Sequence, residues 1–592
     1  MRRSDLTVVP AGAGWHAVAA RSSGASSLWP SFAVDFLISC SGFKPLTEHL
    51  HKYARRHSLE PEQVREIGHW SAQMLDARVL ITARGLAAQC AAAASGPGDS
   101  ARIVSIAIPT AGHEQRLRRV ISTFAHNARR HGRPVRFAIS SNGPDPAATA
   151  ALIDSIAATE SLPITLLQDA ERAALAAKLS ARAAVDPAIA TFAVSDPFNA
   201  GFACGANRNA LLLHHAGQPY LSLDDDMVCE MATAPDPTPN DGGLAIFASR
   251  DAFERWFYPE YNAAFATGHT TDVDYLALHE QLLGLGVNSL IASEQNLHFI
   301  GISDDLLRRL RETDGRVLAT FTGHFGHPGI PTSYYYLTYS GDTLARLTAG
   351  SEPEYRAFLA SGAVRALVPC KAIADASLSP GMAIGIDART LIPPFPPVMH
   401  AEDFVWGASV WQCCAAGFAG HLPVAARHDP GLGRGILAPP LRDQPPVAMW
   451  EFAHLLRGVI TNWSPPAGMS DTAARMDTLG RYLCDIAGAP ARDFHEYIRS
   501  FVLQHESEKI EFMEKCIEEE TDAPIYWHND IEQYIDQTRQ ALAQPDFDIP
   551  YEMRGKWSAQ EARPLIQNLV HEYGRLLRAW PALMQAAQAL RD

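Results

Sequence analysis

Three consecutive aspartates, Asp224-Asp225-Asp226, follow directly on the apolar run Tyr220-Leu221-Ser222-Leu223. Carboxylates clustered at a strand end suit a hard divalent cation such as Mg²⁺ or Mn²⁺, and such a cation in turn holds the phosphates of a nucleotide. On an extended backbone Asp224 and Asp226 face one way and Asp225 the other. Asp226 is then the expected direct metal ligand and Asp224 a metal or ribose contact, with Asp225 on the nucleotide side. Short acidic clusters are also commonly just solvated, so the flanking residues decide how much the triplet means.

Upstream, Ile108-Pro109-Thr110 closes a strong strand pattern. Ligands of open α/β sheets lie beyond the carboxyl ends of the strands. The backbone of Pro109 and Thr110 is a candidate grip for a base or ribose, or simply a strand end stopped by proline. Nearer the triplet, Asn199-Ala200-Gly201-Phe202 leads into Gly205-Ala206-Asn207-Arg208-Asn209 at a helix start. Glycines allow close approach of backbone, which makes Asn199 and Gly201 candidate nucleotide contacts, and Arg208 can face phosphate or brace the carboxylates. The same residues also describe a plain Gly-rich turn with an Asn cap. Downstream, His400-Ala401-Glu402-Asp403-Phe404 follows the turn Pro393-Pro394-Phe395-Pro396-Pro397 and opens a helical pattern through Val405, Ser409 and Val410. An acidic pair there is either a cap for free backbone N–H groups or a general base for an acceptor hydroxyl or thiol. His428 can complete a metal sphere of two carboxylates, an imidazole and phosphate oxygens. His324 and His327 have zinc-like spacing without a visible third ligand and read as loop residues.

The elements that must position these groups show alternating periods. Strand patterns over 103–108, 135–139, 164–167 and 220–223 are interleaved with helical patterns over 114–131, 147–158, 170–185 and 204–215. Such alternation predicts a mostly parallel sheet with helices on both faces. Residues 231–340 are less regular, and Ala383-Ile384-Gly385-Ile386 is a late strand. Residues 1–95 predict a small winged-helix-like unit, with helices near Leu46–Tyr53 and from Pro61, a closing strand at Val79–Thr82, and an Ala-rich linker over 87–95 running on through Ser95-Gly96-Pro97-Gly98. Residues 441–592 predict a helical C-terminal domain, suited to dimerisation or acceptor docking, beside an α/β domain over 100–440.

Composition narrows the class. At 592 residues the chain is too long for one core. A net charge of −15 offers no basic footprint for nucleic acid. Nine scattered cysteines without Cys-x-x-Cys spacing predict a reducing compartment and no zinc ribbon. Without a signal-peptide core or an apolar stretch of transmembrane length, the expected location is cytoplasmic, with no integral membrane segment.

Ile-Pro-Thr, then Asn-x-Gly-x-x-x-Gly-x-x-Arg-Asn, then Leu-Asp-Asp-Asp, then Glu-Asp, then His resembles, in that order, the GT-A glycosyltransferases of the family-2 type. The resemblance spans about 102–435, stretched by an insertion between about 235 and 380. It implies a GT-A, Rossmann-like core and a DxD motif that binds Mn²⁺ or Mg²⁺ and a nucleotide-sugar, by family a UDP-sugar. Asp403 would be the catalytic base of an inverting transfer, with Glu402 the alternative, and His428 the third metal ligand. The missing Gln-x-x-Arg-Trp motif and membrane helices argue for single sugar transfer over polymerisation. Phe36–Cys40, Gly42, Leu46-Thr47-Glu48-His49-Leu50 and the helix at 61–77 are similar, more loosely, to PqqD-like domains, which hold leader peptides. That likeness implies a peptide acceptor, docked by strand addition; a glycan, lipid carrier or small molecule is also open. Two rival readings are a sugar-phosphate nucleotidyltransferase, disfavoured by the lack of a Gly- and Lys-bearing loop in Thr110-Ala111-Gly112-His113-Glu114, and a non-catalytic peptide-binding scaffold.

Overall fold

Local chemistry explains where the helices of the α/β region begin. Asp145 accepts from the Ala148 N–H and Pro146 fills the first helical position of Pro146–Glu160; Asp186 and Pro187 do the same for Pro187–Val194, which the sequence reading had not separated. Helix Glu114–Arg130 buries Leu117, Val120, Ile121, Phe124, Ala125 and Ala128 at helical spacing. The computed structural model describes residues 1–591 except 22–23, 25, 237–241, 248–252, 267–268, 271, 330–333, 377–378 and 432–451. The expected domain boundary at 440 and part of the proline-rich 235–239 stretch lie outside the described residues.

The protein is a mixed α/β molecule built on a 14-stranded sheet. Strands Ser105–Thr110, Arg136–Ser141, Ile164–Leu167 and Pro219–Leu223 form a parallel set with Ser105–Thr110 between Arg136–Ser141 and Pro219–Leu223. Strand Ala383–Asp387 then pairs antiparallel with Pro219–Leu223 and with Arg316–Gly326, so the sheet is mixed rather than uniformly parallel. Residues 231–340, expected to be less regular, supply strands Leu244–Phe247, Glu254–Tyr258, Leu297–Ile300 and Arg316–Gly326 to the same sheet, and Ala363–Leu367 and Lys371–Ala374 join it from beyond that stretch. His324 therefore lies on a buried strand, not a loop, and burial lowers its imidazole pKa to about 3.

Residues 1–81 have a core of their own, with Val18, Trp29, Phe36, Leu37, Ile67 and Leu80. Three helices, Ser31–Ser39, Leu46–His57 and Pro61–Asp76, pack with an antiparallel meander of Leu6–Gly12, Trp15–Ala20 and Ser26–Pro30, and Arg2–Arg3 pairs with the strand Leu80–Ile81. Buried Arg2 fastens this unit to the rest, donating to Ile302 O at 2.9 Å and pairing with Asp304 at 2.5 Å while its Nε is held by Ser41 O within the unit, and Arg311 pairs with Asp5 at 3.0 Å. The expected linker over 87–95 is largely the helix Ala83–Ala92, capped by Thr82 and packed through Leu86 and Cys90 against the α/β core. Alanine is the strongest helix former, and an Ala-rich run with a Thr cap folds when a neighbour covers one face.

The C-terminal helices, Phe452–Asn462, Thr472–Ala487, Ala491–Glu519, Ile525–Leu542 and Ala559–Arg591, share one apolar cluster with the α/β part: Trp406, Phe395 and Ile392 lie in it with Tyr573, Leu577 and Trp580. The turn Pro393–Pro397 is poor in N–H groups but keeps its carbonyls, and buried carbonyls need donors. Trp580 Nε1 donates to Ile392 O at 2.8 Å, Trp406 Nε1 to Pro393 O at 3.0 Å, Tyr573 Oη to Pro394 O at 2.9 Å, Asn209 Nδ2 to Phe395 O at 2.9 Å and the Ala206 N–H to Pro397 O at 2.8 Å. Helices Cys204–His214 and Ala559–Arg591, with Trp406 of the helix Glu402–Cys413 itself, thus pin the turn that aims that last helix.

Candidate active site

The sheet order brings the acidic triplet to one edge of the molecule's centre. Asp224 leaves strand Pro219–Leu223 with its N–H bonded to Met382 O at 3.0 Å, and the Met227 N–H returns to Asp224 O at 3.2 Å. The triplet is therefore a tight turn between two strands, not extended backbone. Asp224 and Asp226 still share a side, because the turn, rather than strand alternation, carries Asp225 away to Thr110, whose hydroxyl donates to Asp225 Oδ2 at 2.6 Å.

Strand Met227–Ala232 runs antiparallel to Gly417–His428 with Met227 opposite His428. That register sets His428 Nε2 3.1 Å from Asp226 Oδ1. His428 Nδ1 donates to the His327 carbonyl, which orients the ring and leaves Nε2 toward the carboxylates. One ligand atom from each of Asp224, Asp226 and His428 lies within 4.8 Å of the others, a grouping that can hold a metal ion. Two carboxylates and one imidazole suit Mn²⁺ or Mg²⁺, with the imidazole tilting the balance toward Mn²⁺. Burial lowers the His428 pKa, but the Asp226 charge outweighs it and holds the imidazole up to about 9. Burial and then Asp226 push Asp225 up to about 6.

Arg208, on helix Cys204–His214 and almost wholly buried, connects the triplet to the second acidic pair. It donates to Asp224 Oδ1 at 2.6 Å, Glu402 Oε1 at 2.9 Å, Ser222 Oγ at 3.0 Å and Gly381 O at 3.1 Å. Of the two roles open to it, bracing carboxylates is the one its bonds describe. Asp403 accepts from the Gly381 N–H at 2.5 Å, and a Cβ on Gly381 would sit 2.8 Å from Asp403 Oδ2 and 3.0 Å from Arg208 Nη2, so only glycine fits between them.

Adjacent carboxyls on one helix turn have opposite titration behaviour. Burial raises the pKa of Glu402, but the charge and hydrogen bond of Arg208 overcome it and keep the carboxyl below its usual range. Asp403 lacks that bond; burial, and then the charge of Glu402, push it up to about 7. Paired titratable groups driven apart in this way mark acid–base assignments, and among these two Asp403 is the one poised to exchange a proton near neutrality.

The loop Asn199–Phe202 lies against the segment entering Glu402: the Met399 N–H donates to Phe202 O at 2.8 Å and the Phe202 ring packs on His400. Asp196 caps the Ala200 and Gly201 N–H groups at 3.0 and 2.9 Å, and Lys556 donates to Asn199 O at 2.9 Å. Neither Asn199 nor Gly201 bonds to Asp224, Asp225 or Asp226 among the described residues. Met399 and Ala401 have left-handed φ values of 78° and 58°, backbone strain of the kind that collects at functional sites. Pro109 is buried in its strand opposite Ser140, and the Thr110 carbonyl already accepts from the Asn142 N–H.

Arg116 has no motif signal in the sequence. It stands two residues past Thr110–Glu114, the stretch that lacks a phosphate-binding Lys, and helix Glu114–Arg130 carries its Nη1 to 3.9 Å from Asp225 and 3.8 Å from Asp226. Asp429 backs the site, taking Arg119 at 3.0 Å, Arg427 at 2.8 Å and Tyr261 Oη at 2.8 Å while its N–H donates to Asp226 O at 3.0 Å. No known protein family matches the chain, and no curated protein matches its sequence. No helix among the described residues is long and apolar enough to cross a membrane. Fold and site define a mixed α/β protein with an Asp-Asp-His group beside a neutral-range carboxyl.

Proposed function

We propose that the chain is a metal-dependent glycosyltransferase that moves a sugar from a nucleotide-sugar, by family expectation a UDP-sugar, to an acceptor with inversion. The observation that carries this reading is the connection, through the Arg208–Glu402 bond, of the Asp224–Asp226–His428 group with the Glu402–Asp403 pair, whose Asp403 carboxyl is held near pKa 7. Asp224, Asp226 and His428 would hold Mn²⁺ or Mg²⁺, which would neutralise charge on the departing diphosphate. Arg116 adds a cation on the same side. Asp403 takes the proton of an acceptor hydroxyl or thiol as that atom bonds to the anomeric carbon, and the bond from that carbon to the diphosphate oxygen breaks. Glu402, held ionised by Arg208, keeps the pair from sharing the proton equally.

A sugar-phosphate nucleotidyltransferase would also use the acidic group and Arg116. Its nucleophile is a phosphate that is already an anion, so it gives Asp403 no proton to take. The strand Leu6–Gly12, an edge of the N-terminal meander with one side unpaired among the described residues and with Val9 exposed, supports a peptide acceptor that adds a strand there.

The test is release of nucleoside diphosphate from a panel of nucleotide-sugars with Mn²⁺ or EDTA. Slow, Mn²⁺-dependent release from one donor, lost in Asp226→Ala, is expected. Pyrophosphate release from an NTP and a sugar phosphate would replace the reading with the nucleotidyltransferase. Binding of peptide to residues 1–95, with no turnover on any donor or acceptor, would favour the scaffold.

A further inference from the structure

We propose that a surface cavity in the C-terminal helices, about 610 Å³ and lined by Arg492, His495, Glu496, Arg499 and Arg563, is a binding site for a small organic phosphate. Arg492, His495, Glu496 and Arg499 project from one face of helix Ala491–Glu519, and Arg563 faces them from helix Ala559–Arg591. None of these residues belongs to the acidic site, so the inference is independent of the proposed activity.

Two of the arginines, Arg499 and Arg563, are pre-organised. The buried carboxylate of Asp548 takes Arg563 in a two-pronged pair, Nε at 2.9 Å and Nη2 at 3.0 Å, and Arg499 Nη1 at 3.1 Å. Pro545 O accepts from the same Arg499 Nη1 at 3.1 Å, and the guanidinium lies 4.3 Å over the Phe547 ring. These bonds use one nitrogen of Arg499 and two of Arg563. A guanidinium carries five N–H donors; Arg563 Nη2 also reaches Pro545 O at 3.5 Å, and the other nitrogens of Arg499 and Arg563 have no protein acceptor among the described residues. Arg492 makes no hydrogen bond or ion pair among the described residues. Asp548, Glu496 and, through its charge on Arg563, Asp546 are the carboxylates near the three guanidiniums, whose unused N–H donors line the cavity.

Fixed, fork-shaped donors select phosphate over simple anions. The cavity falls in the ~300–1,000 Å³ range of small-molecule sites, which leaves room for an organic body beyond the phosphate itself.

Isothermal titration of the full chain in EDTA, with inorganic phosphate, pyrophosphate and a hexose phosphate as separate probes, tests the proposal. The hexose phosphate is expected to bind most tightly, and Arg492→Glu to weaken it by at least about tenfold, a charge-assisted contact being lost. Arg492 is exposed and unbonded, so that variant keeps the fold; Arg563→Lys, which retains charge but loses the two-pronged geometry, is expected to weaken binding by a smaller factor. Equal affinity in Arg492→Glu would overturn the assignment, since binding at the acidic site would survive that change. Binding of inorganic phosphate or pyrophosphate as tightly as the hexose phosphate would overturn the organic class. Binding of polyglutamate but of no small probe would overturn it in favour of an acidic macromolecular partner.

Discussion

At the scale of residues, the site works by giving neighbouring groups different charges. Asp403 has a folded pKa of about 7, above its unfolded value, so its contribution favours folding at low pH and is lost as pH rises from its unfolded pKa through 7. Asp403→Asn is therefore expected to be more stable than the parent at pH 8, on the order of 2 kcal/mol, with the difference closing toward pH 4 in denaturant titrations. The same variant should lose about 10³-fold in kcat while keeping Mn²⁺ affinity, and the parent's rate should fall as pH drops below 7. His428 supplies a second pH dependence of opposite origin. It must lose its proton to ligate, and Asp226 holds its pKa at about 9, so Mn²⁺ affinity should rise with pH up to about 9, by nearly tenfold per unit, in equilibrium titrations. A pH-independent Kd would remove His428 from the ligand set.

Elements position these groups by close packing. Helix Cys204–His214 meets the proline turn so tightly that a Cβ on Gly205 would lie 1.8 Å from Pro396 O. Gly205→Ala must push apart the helix that carries Arg208 and the turn that aims Asp403; a loss of about 3 kcal/mol or more is expected by thermal or denaturant unfolding. Arg208→Lys keeps the charge but cannot reach Asp224, Glu402 and Ser222 together. It should lower kcat by about 10- to 100-fold with a smaller effect on donor KM, because it disturbs positioning more than ground-state binding. A KM-only effect would return Arg208 to a phosphate-binding role.

Across the whole molecule, the C-terminal helices are part of the machinery that holds the site. Trp580 and Tyr573 satisfy the carbonyls of Ile392 and Pro394, and Glu552 accepts from the His400 N–H at 3.2 Å and the Phe452 N–H at 2.8 Å. A chain ending at residue 431 should be insoluble or molten, exposing Trp406 and its neighbours, as dye binding and loss of near-ultraviolet dichroism would show. Soluble, metal-binding 1–431 would refute that integration. The N-terminal unit differs: its core is its own, and its attachment runs through Arg2 and Asp5.

Much of this was legible locally. Short apolar runs and a period of 3.6 between residues 105 and 223 report burial by immediate neighbours, and they located the parallel strands and their helices within a few residues. The triplet's place after Leu223 and the helix start at Glu402 were equally local, fixed by apolar runs and by a proline turn. What the sequence could not show depends on pairing across long separations. His428 stands by Asp226 because of an antiparallel register with Met227, Arg208 joins two acidic pairs 16 and 194 residues away, and Arg116 reaches the site from a helix face. Strands over 244–374 and the helix Ala83–Ala92 exist because distant segments cover them, and neither register nor cover leaves a period in the chain.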